Sequence, residues 1–434
     1  MNHAKEVAEK VFRAAIRDAD PYLAVRRHGD EIRSIYREGG FAQLIVIGFG
    51  KASISMAKGM EDSLGDLIDA GLIITKYGHG TSRELRKIRF LEGGHPVPDA
   101  DGATGTEEII NLVTAATEKT LVVTLISGGG SALLVSPCAG ITLAEKQETT
   151  GLLLAAGAGI FELNCVRKHL SRVKGGRLAA MIRPARSVSL ILSDVIGDRL
   201  DVIASGPTAP DPTTFADALD VLERYRLLKR VPTEVVAHLT KGREGEFAET
   251  LKEGDPVFRT VQNVIVGSNC TALEAAAREA EALGFGVEIL SAGITGEARE
   301  AGRWLAHKAV ATRSGIGGGG PFCLISGGET TVTVKGGGKG GRNMELALAF
   351  ALEIEGISGI TLLSAGTDGT DGPTDAAGAV VDGTTATMAK ARGFDPEEYL
   401  RNNDSYSFFR ECGGLLVTGP TGTNVMDIQI VVIE

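Results

Sequence analysis

The stretch Leu125-Ile-Ser-Gly-Gly-Gly-Ser-Ala-Leu-Leu134 follows Thr120-Leu-Val-Val-Thr124, a β-branched apolar run that reads as a buried strand. Three consecutive glycines after a strand allow a sharp turn and let backbone N–H groups approach a ligand, for which phosphate is the best fit. A bare strand-to-helix turn accounts for one such loop. The second half of the chain repeats the pattern in Leu324-Ile-Ser-Gly-Gly-Glu-Thr-Thr331, with a carboxylate replacing the third glycine. Two such loops, one per half, predict two α/β halves facing a common cleft.

At 434 residues and 45.3 kDa the chain exceeds what one core supports, so two domains are expected. Its 58 glycines sit largely between apolar runs and point to backbone-lined sites rather than low-complexity linkers. A formal charge of −10 argues against a nucleic-acid or anionic-membrane partner while leaving room for a local basic pocket. Cys138, Cys165, Cys270, Cys323 and Cys412 are scattered and contain no C-x-x-C pair, so neither a disulfide framework nor a zinc site is indicated. With no signal-peptide core and no run of membrane-spanning length, a cytoplasmic protein is expected.

Several loops carry candidate chemistry. Residues 4–18 form an amphipathic helix expected on the outside of the first domain, and a second helix is predicted over Val25–Tyr36. Gln43–Phe49 reads as a parallel strand entering Gly48-Phe-Gly-Lys-Ala-Ser53. Gly48 and Gly50 are half of a dinucleotide fingerprint, with Ser53 where its third small residue belongs, and the Walker A spacing is missing. A helix start there still favours an anion, and Lys51 adds a full positive charge. The next strand ends in Lys76, where an NAD enzyme places an acid. Gly93-Gly-His-Pro-Val-Pro-Asp99 is a turn in which His95 is either a pocket residue or, as the favoured reading, satisfied within the turn. Helices over 142–156 and 159–172 precede Lys174-Gly-Gly-Arg-Leu178, and the charges Arg167, Lys168, His169 and Lys174 suit a solvated face or a phosphate site equally. The strand Ser187–Leu192 delivers Asp194 to its carboxyl end, as a metal ligand, a base or a helix cap.

Residues 210–255 read as the inter-domain connection, and βα alternation resumes at Val264. Gly315–Pro321 is a flexible loop, and Thr330–Lys335 is a further strand. The glycine-rich segment 336–341 carries Lys339 and leads to Arg342 at a helix start, where a planar guanidinium suits carboxylate or phosphate. Asp368, Asp371 and Asp375 lack EF-hand spacing; magnesium, a substrate hydroxyl or Asx turns remain open. The last strand, 427–433, can pair with either sheet, including a return to the first domain.

Taken in order, Gly48-Phe-Gly-Lys-Ala, Gly93-Gly-His-Pro-Val-Pro-Asp, Ser127-Gly-Gly-Gly-Ser-Ala-Leu, Lys174-Gly-Gly-Arg-Leu, Leu192-Ser-Asp-Val-Ile-Gly-Asp, Ser326-Gly-Gly-Glu, Gly341-Arg-Asn and Gly366-Thr-Asp-Gly-Thr-Asp-Gly resemble the class II glycerate kinases, glycerate 2-kinases with a C-terminal MOFRL domain. The resemblance implies an N-terminal Rossmann-like parallel sheet over 1–255, a smaller C-terminal α/β domain over 256–434 and an inter-domain cleft. It further implies ATP- and Mg²⁺-dependent conversion of D-glycerate to 2-phosphoglycerate, with Lys51 and Arg342 at the family's active-site lysine and arginine positions.

On this reading Lys51 and Arg342 clamp the glycerate carboxylate or the moving phosphoryl group. Asp194 is base or metal ligand, with Asp368 and Asp371 as alternatives, Asp371 being the second metal candidate. Ser127, Gly128, Gly129, Gly130 and Ser131, together with Ser326, Gly327, Gly328 and Glu329, cradle phosphates or polar substrate, and Asn164, Lys174 and Asp368 contribute to binding. A monomer or homodimer is expected. Competing readings are an NAD(P)H-dependent hydroxypyruvate reductase and a non-catalytic sugar-phosphate sensor.

Overall fold

The computed structural model describes residues 3–80, 85–316 and 320–434. The chain divides into two compact units, one of residues 21–193 and 198–266, the other of residues 1–20, 194–197 and 267–434.

The first unit is built on β1 (Gln43–Phe49), β2 (Ile68–Lys76), β3 (Ile88–Gly93), β4 (Thr120–Ile126), β5 (Arg186–Leu192) and β6 (Val261–Gly267), in the order β3-β2-β1-β4-β5-β6. The pairings β3–β2, β2–β1, β1–β4 and β4–β5 are parallel. β4 is buried throughout and β1 everywhere except Gln43, which explains why both read as unbroken apolar runs instead of alternating ones. This is the strand order of a doubly wound nucleotide-binding sheet, and it reverses direction between β1 and β4.

Residues 210–255, expected to be a connector, instead supply the helices Phe215–Arg224 and Thr233–Arg243 to this unit. Phe215, Leu219 and Leu222 pack with Leu163, Val166 and Leu239 in a satellite core. A charged, proline-spaced segment can be half of a helical layer when its apolar residues keep a 3.6-residue period.

The second unit carries β7 (Gly286–Ile294), β8 (Phe322–Gly328), β9 (Ile360–Gly366), β10 (Gly378–Asp382), β11 (Leu415–Leu416) and β12 (Asp427–Ile433), in the order β11-β10-β9-β12-β8-β7. β12 runs antiparallel between β8 and β9, so the last strand sits in the middle of the second sheet and does not return to the first. Residues 343–351 of the helix Arg342–Glu353 are all buried, against the helix Ala298–Ile316 and the sheet.

The expected boundary at 255/256 shifts in three places. β6 closes the first sheet, residues 194–197 are counted with the second unit, and the helix His3–Asp18 packs on Asn269–Ala282, β9 and β12. The Val7, Val11, Phe12 and Ala15 stripe is buried as predicted, but a stripe does not say which sheet covers it.

Other differences are local. The helix expected over Val25–Tyr36 is two helices, Pro21–Arg26 and Gly29–Glu38. Thr330–Lys335 is no strand, with a single bridge from Thr331 to Glu297. Residues 317–319 of the loop expected at 315–321 lie outside the described residues. No helix among the described residues is long and apolar enough to cross a membrane.

Candidate active site

Parallel α/β sheets bind ligands beyond the carboxyl ends of their strands where the order reverses, and here that point carries the loops after β1 and β4. The two loops are sewn together. The Lys51 N–H donates to the Gly128 carbonyl at 2.9 Å, and the Ala52 N–H donates to Ser127 Oγ at 3.1 Å. Gly50 has φ 131°, and a Cβ there would lie 2.2 Å from Ser127 Oγ, so only glycine lets the loops touch.

The Lys51 ammonium makes no hydrogen bond or ion pair among the described residues, although its loop is fixed on both sides. Nor do the N–H groups of Gly128 and Gly129 have an acceptor among them. The two loops that carry the uncommitted lysine and these two N–H donors are joined, and such a set of donors suits an anion. Ser127 acts differently from expectation, since its hydroxyl accepts the Ala52 N–H and positions the Lys51 loop.

Gly129 is left-handed at φ 82°, and a Cβ there would come within 2.9 Å of the His95 ring and 3.2 Å of Lys51 Cγ. His95, favoured from the sequence as satisfied within its turn, therefore faces the same loop, with no hydrogen-bond partner among the described residues. Burial, followed by the charges of Lys51, Lys76 and His79, pulls its pKa down to about 4, so its imidazole is neutral at pH 7.

Beside this loop lies a cavity of about 180 Å³ lined by His95, Gly129, Ser131, Lys146, Arg167 and Lys174, among others. Lys146 and Lys174 are 4% and 1% exposed. Lys146 donates to the Leu170 carbonyl at 3.0 Å and Lys174 to the Ala204 carbonyl at 3.2 Å. No carboxylate lies within ion-pair distance of Lys146, Arg167 or Lys174 among the described residues. Burial brings the Lys146 ammonium down to about 7, with Arg167 and Arg177 lowering it further against the opposing influence of Cys138. Burial also holds Lys174 well below the usual lysine range, followed by Lys146 and Arg167. Lys168, by contrast, is spent on Asp211 at 2.8 Å.

The backbone that Lys174 binds is under strain. Ala204 and Ser205 have φ 50° and 64°, a conformation that costs about 1–3 kcal/mol per residue and persists only where the surroundings enforce it. Lys174 on the Ala204 carbonyl and the Gly175 N–H on the Ser205 carbonyl supply that enforcement. Ser205 Oγ donates to Asn164 Oδ1 at 3.1 Å and lies 2.9 Å from Ser131 Oγ, so Asn164 orients that segment rather than offering its oxygen to a ligand.

In the second unit the echo of the triple-glycine loop does not form a loop. Ser326, Gly327 and Gly328 belong to β8 and pair in register with β12, their backbone groups committed to the ladder. Ser326 Oγ donates to Gln429 Oε1 at 3.1 Å, and a Cβ at Gly327 would overlap Asn269. Glu329, just past the strand, accepts from Arg342 Nη1 at 2.8 Å, while Arg342 Nε and Nη2 fork onto Asp427 at 2.5 and 3.0 Å. These carboxylates outweigh burial and raise the Arg342 pKa above its ordinary value.

Asp371 accepts the Asn343 and Met344 N–H groups at 3.0 and 2.8 Å, capping the Arg342 helix from outside. Burial pushes it up to about 6 against those bonds. Each of its oxygens thus accepts a helix N–H, which is the geometry of a helix cap. Asp368 Oδ1 accepts from the Thr370 N–H and hydroxyl, leaving Oδ2 without a partner among the described residues. Asp194 is the second residue past the end of β5 and is half-buried. No group of three or more His, Cys, Asp or Glu side chains among the described residues is arranged to hold a metal ion.

The structure thus groups Lys174 and the glycine loop, both named from the sequence, with His95, which the sequence favoured as satisfied in its turn, and Lys146, which it did not single out. One signal existed for Lys146, which stands three and seven residues before Thr149 and Leu153, on the buried face of the helix Leu143–Ala155. A lysine on an apolar face needs an explanation that a solvated lysine does not.

Comparison with known proteins covers the whole chain. A family described as a domain of unknown function, DUF4147, matches residues 7–240, and the MOFRL family matches residues 322–427. The chain is 44% identical to "Glycerate 2-kinase" of Pyrococcus horikoshii over 99% of its own length and 97% of that protein's. It is 41% identical, over 99% of its length and 94% of the other's, to an Agrobacterium vitis protein provisionally named hydroxypyruvate reductase. A crystal structure of glycerate kinase from Thermotoga maritima matches it with a TM-score of 0.88 at 43% identity, covering 99% of both chains.

Proposed function

Because the chain belongs to the MOFRL family of glycerate kinases, we propose that it transfers the terminal phosphoryl group of ATP to the 2-hydroxyl of D-glycerate. The observation that carries this reading is the uncommitted Lys51 ammonium, on a loop joined to the one that carries the free N–H groups of Gly128 and Gly129, at the reversal of the sheet. Phosphoryl transfer asks for positioning and for cations where charge spreads in the transition state, with little covalent chemistry from the protein. Lys51 supplies a cation that no carboxylate among the described residues neutralises. Arg342, in the second unit, stands at the family's arginine position and is our candidate for a further catalytic cation; Asp427 and Glu329 fix its orientation and offset part of its charge.

Mg²⁺ is held mainly by substrate phosphates and few carboxylates, so a site without an all-protein cage still suits it. Asp368 is the aspartate with an oxygen to spare, and Asp194 at the end of β5 is the second candidate, also assigned as the base. The metal would neutralise phosphate charge.

The reductase reading has two features in its favour, Gly48-Phe-Gly50 and a lysine able to meet the 2′-phosphate of NADP, and one against it for NAD, since β2 ends in Lys76 where a ribose-binding acid belongs. One assay with two arms separates the readings. ADP release requiring both D-glycerate and Mg²⁺ is expected, and NAD(P)H oxidation by hydroxypyruvate without any ADP release would refute the kinase.

A further inference from the structure

We propose that the cavity between the triple-glycine loop and the helix Leu143–Ala155 is the subsite for the acceptor's carboxylate, with Lys146, Arg167 and Lys174 as its ligands. The inference rests on the kinase reading for the identity of the acid, and on the geometry alone for the chemistry of the pocket.

Three cationic side chains converge on one small space, and no carboxylate answers them. Two of the three are almost wholly buried, and their ammonium groups touch only backbone carbonyls. Burial strips these lysines of solvent and lowers their pKa values, so they gain a proton and a partner together only when an anion supplies the counter-charge. Size narrows the ligand. About 180 Å³ corresponds to roughly six water-sized groups at ~30 Å³ each, enough for a three-carbon acid or one phosphate group and far too little for a nucleotide triphosphate.

Both candidate occupants are small oxyanions, and position favours the carboxylate. Lys51 does not line the cavity, yet its Cγ and the His95 ring both lie against the same face of Gly129, which leaves Lys51 for the transferring phosphoryl group at the cavity's edge. An acid anchored in the cavity would present its carbinol carbons toward His95 and Lys51. The neutral His95 ring can then accept a hydrogen bond from a hydroxyl, which an imidazolium could not.

Ligand binding is measured calorimetrically without ATP, using D-glycerate, inorganic phosphate and glycerol. D-glycerate should bind and glycerol should not. Lys174→Met and Arg167→Gln should each weaken D-glycerate at least tenfold, and raise KM for D-glycerate more than they lower kcat. Arg167 is half-buried without a protein partner, so its variant keeps the test valid if Lys174→Met fails to fold. Binding at pH 8 should take up protons, because the anion recharges Lys146, and Lys174 with it, against the burial of both and the charges of Arg167 and Arg177, with Cys138 acting in the same direction as the anion on Lys146. That uptake should fall in Lys146→Met.

Affinity unchanged within twofold in both variants overturns the proposal. So does inorganic phosphate that binds in the cavity without competing with D-glycerate. The two readings fail separately. Glycerate binding that depends on these residues without ADP formation refutes the kinase alone, whereas ADP formation with KM unmoved in both variants refutes the subsite alone.

Discussion

Replacing Lys146 with methionine should make the protein more stable while damaging its substrate affinity. Burial lowers the folded-state pKa of Lys146 from 10.5 to about 7. At pH 7 and below, the protein therefore loses roughly 5 kcal/mol, the depression multiplied by about 1.4 kcal/mol per pH unit.

Methionine matches the stem in length and carries no charge, so this loss disappears. In exchange the Leu170 carbonyl loses its donor, at about 1–3 kcal/mol for a buried polar group left unmade. A net gain of about 2–4 kcal/mol remains, or an increase of roughly 4–16 °C in the Tm of the unit that carries Lys146.

The sign depends on pH in a checkable way. The unfolded lysine binds a proton up to pH 10.5 and the folded one only up to about 7, so the penalty is complete below pH 7 and fades as pH rises toward 10.5. Denaturant unfolding of wild type and variant at pH 6.5, 8 and 9.5 should show a gap that narrows with pH. A variant less stable than wild type at all three values would mean that Lys146 is paired in a way the geometry does not contain, and the counter-ion argument for the cavity would fall with it.

Lys51→Ala should lower kcat by about 10²–10³-fold, the usual effect of removing one transition-state cation or donor, while Tm stays near wild type because the ammonium has no protein partner. Near-native turnover in this variant would remove Lys51 from the site. Gly50→Ala should lose both stability and activity, since its Cβ would overlap Ser127 Oγ; thermal melting and ADP release report the two losses. Phe215→Ala should cost about 3–5 kcal/mol in denaturant unfolding, as for other large-to-small changes in a packed core. A loss below 1 kcal/mol would show that residues 210–255 are the loose connector the sequence suggested.

Much of the fold was legible because its signals are local. A β-branched run followed by glycine predicts a buried strand and a turn wherever it stands, and β1, β4, β5, β8 and β9 all formed where such runs occur. Lys51 was legible for the same reason, since a lysine directly after Gly48-Phe-Gly50 must leave at the end of a parallel strand. Lys174 was only half legible, because the same basic cluster contains Lys168, which is neutralised by Asp211.

What sequence alone determined is most of the central strands, the glycine exits of β1 and β4 and the cation at the first of them, each encoded by neighbours a few residues apart. Tertiary structure decided the rest. It carried the N-terminal helix to the second sheet, put the last strand at that sheet's centre, absorbed Ser326–Gly328 into a ladder, and brought His95, Lys146, Arg167 and Lys174 around one cavity. An apolar stripe carries no address for the surface it will cover, and a lysine's charge has chemical meaning only once the fold has determined how much water and which carboxylates surround it.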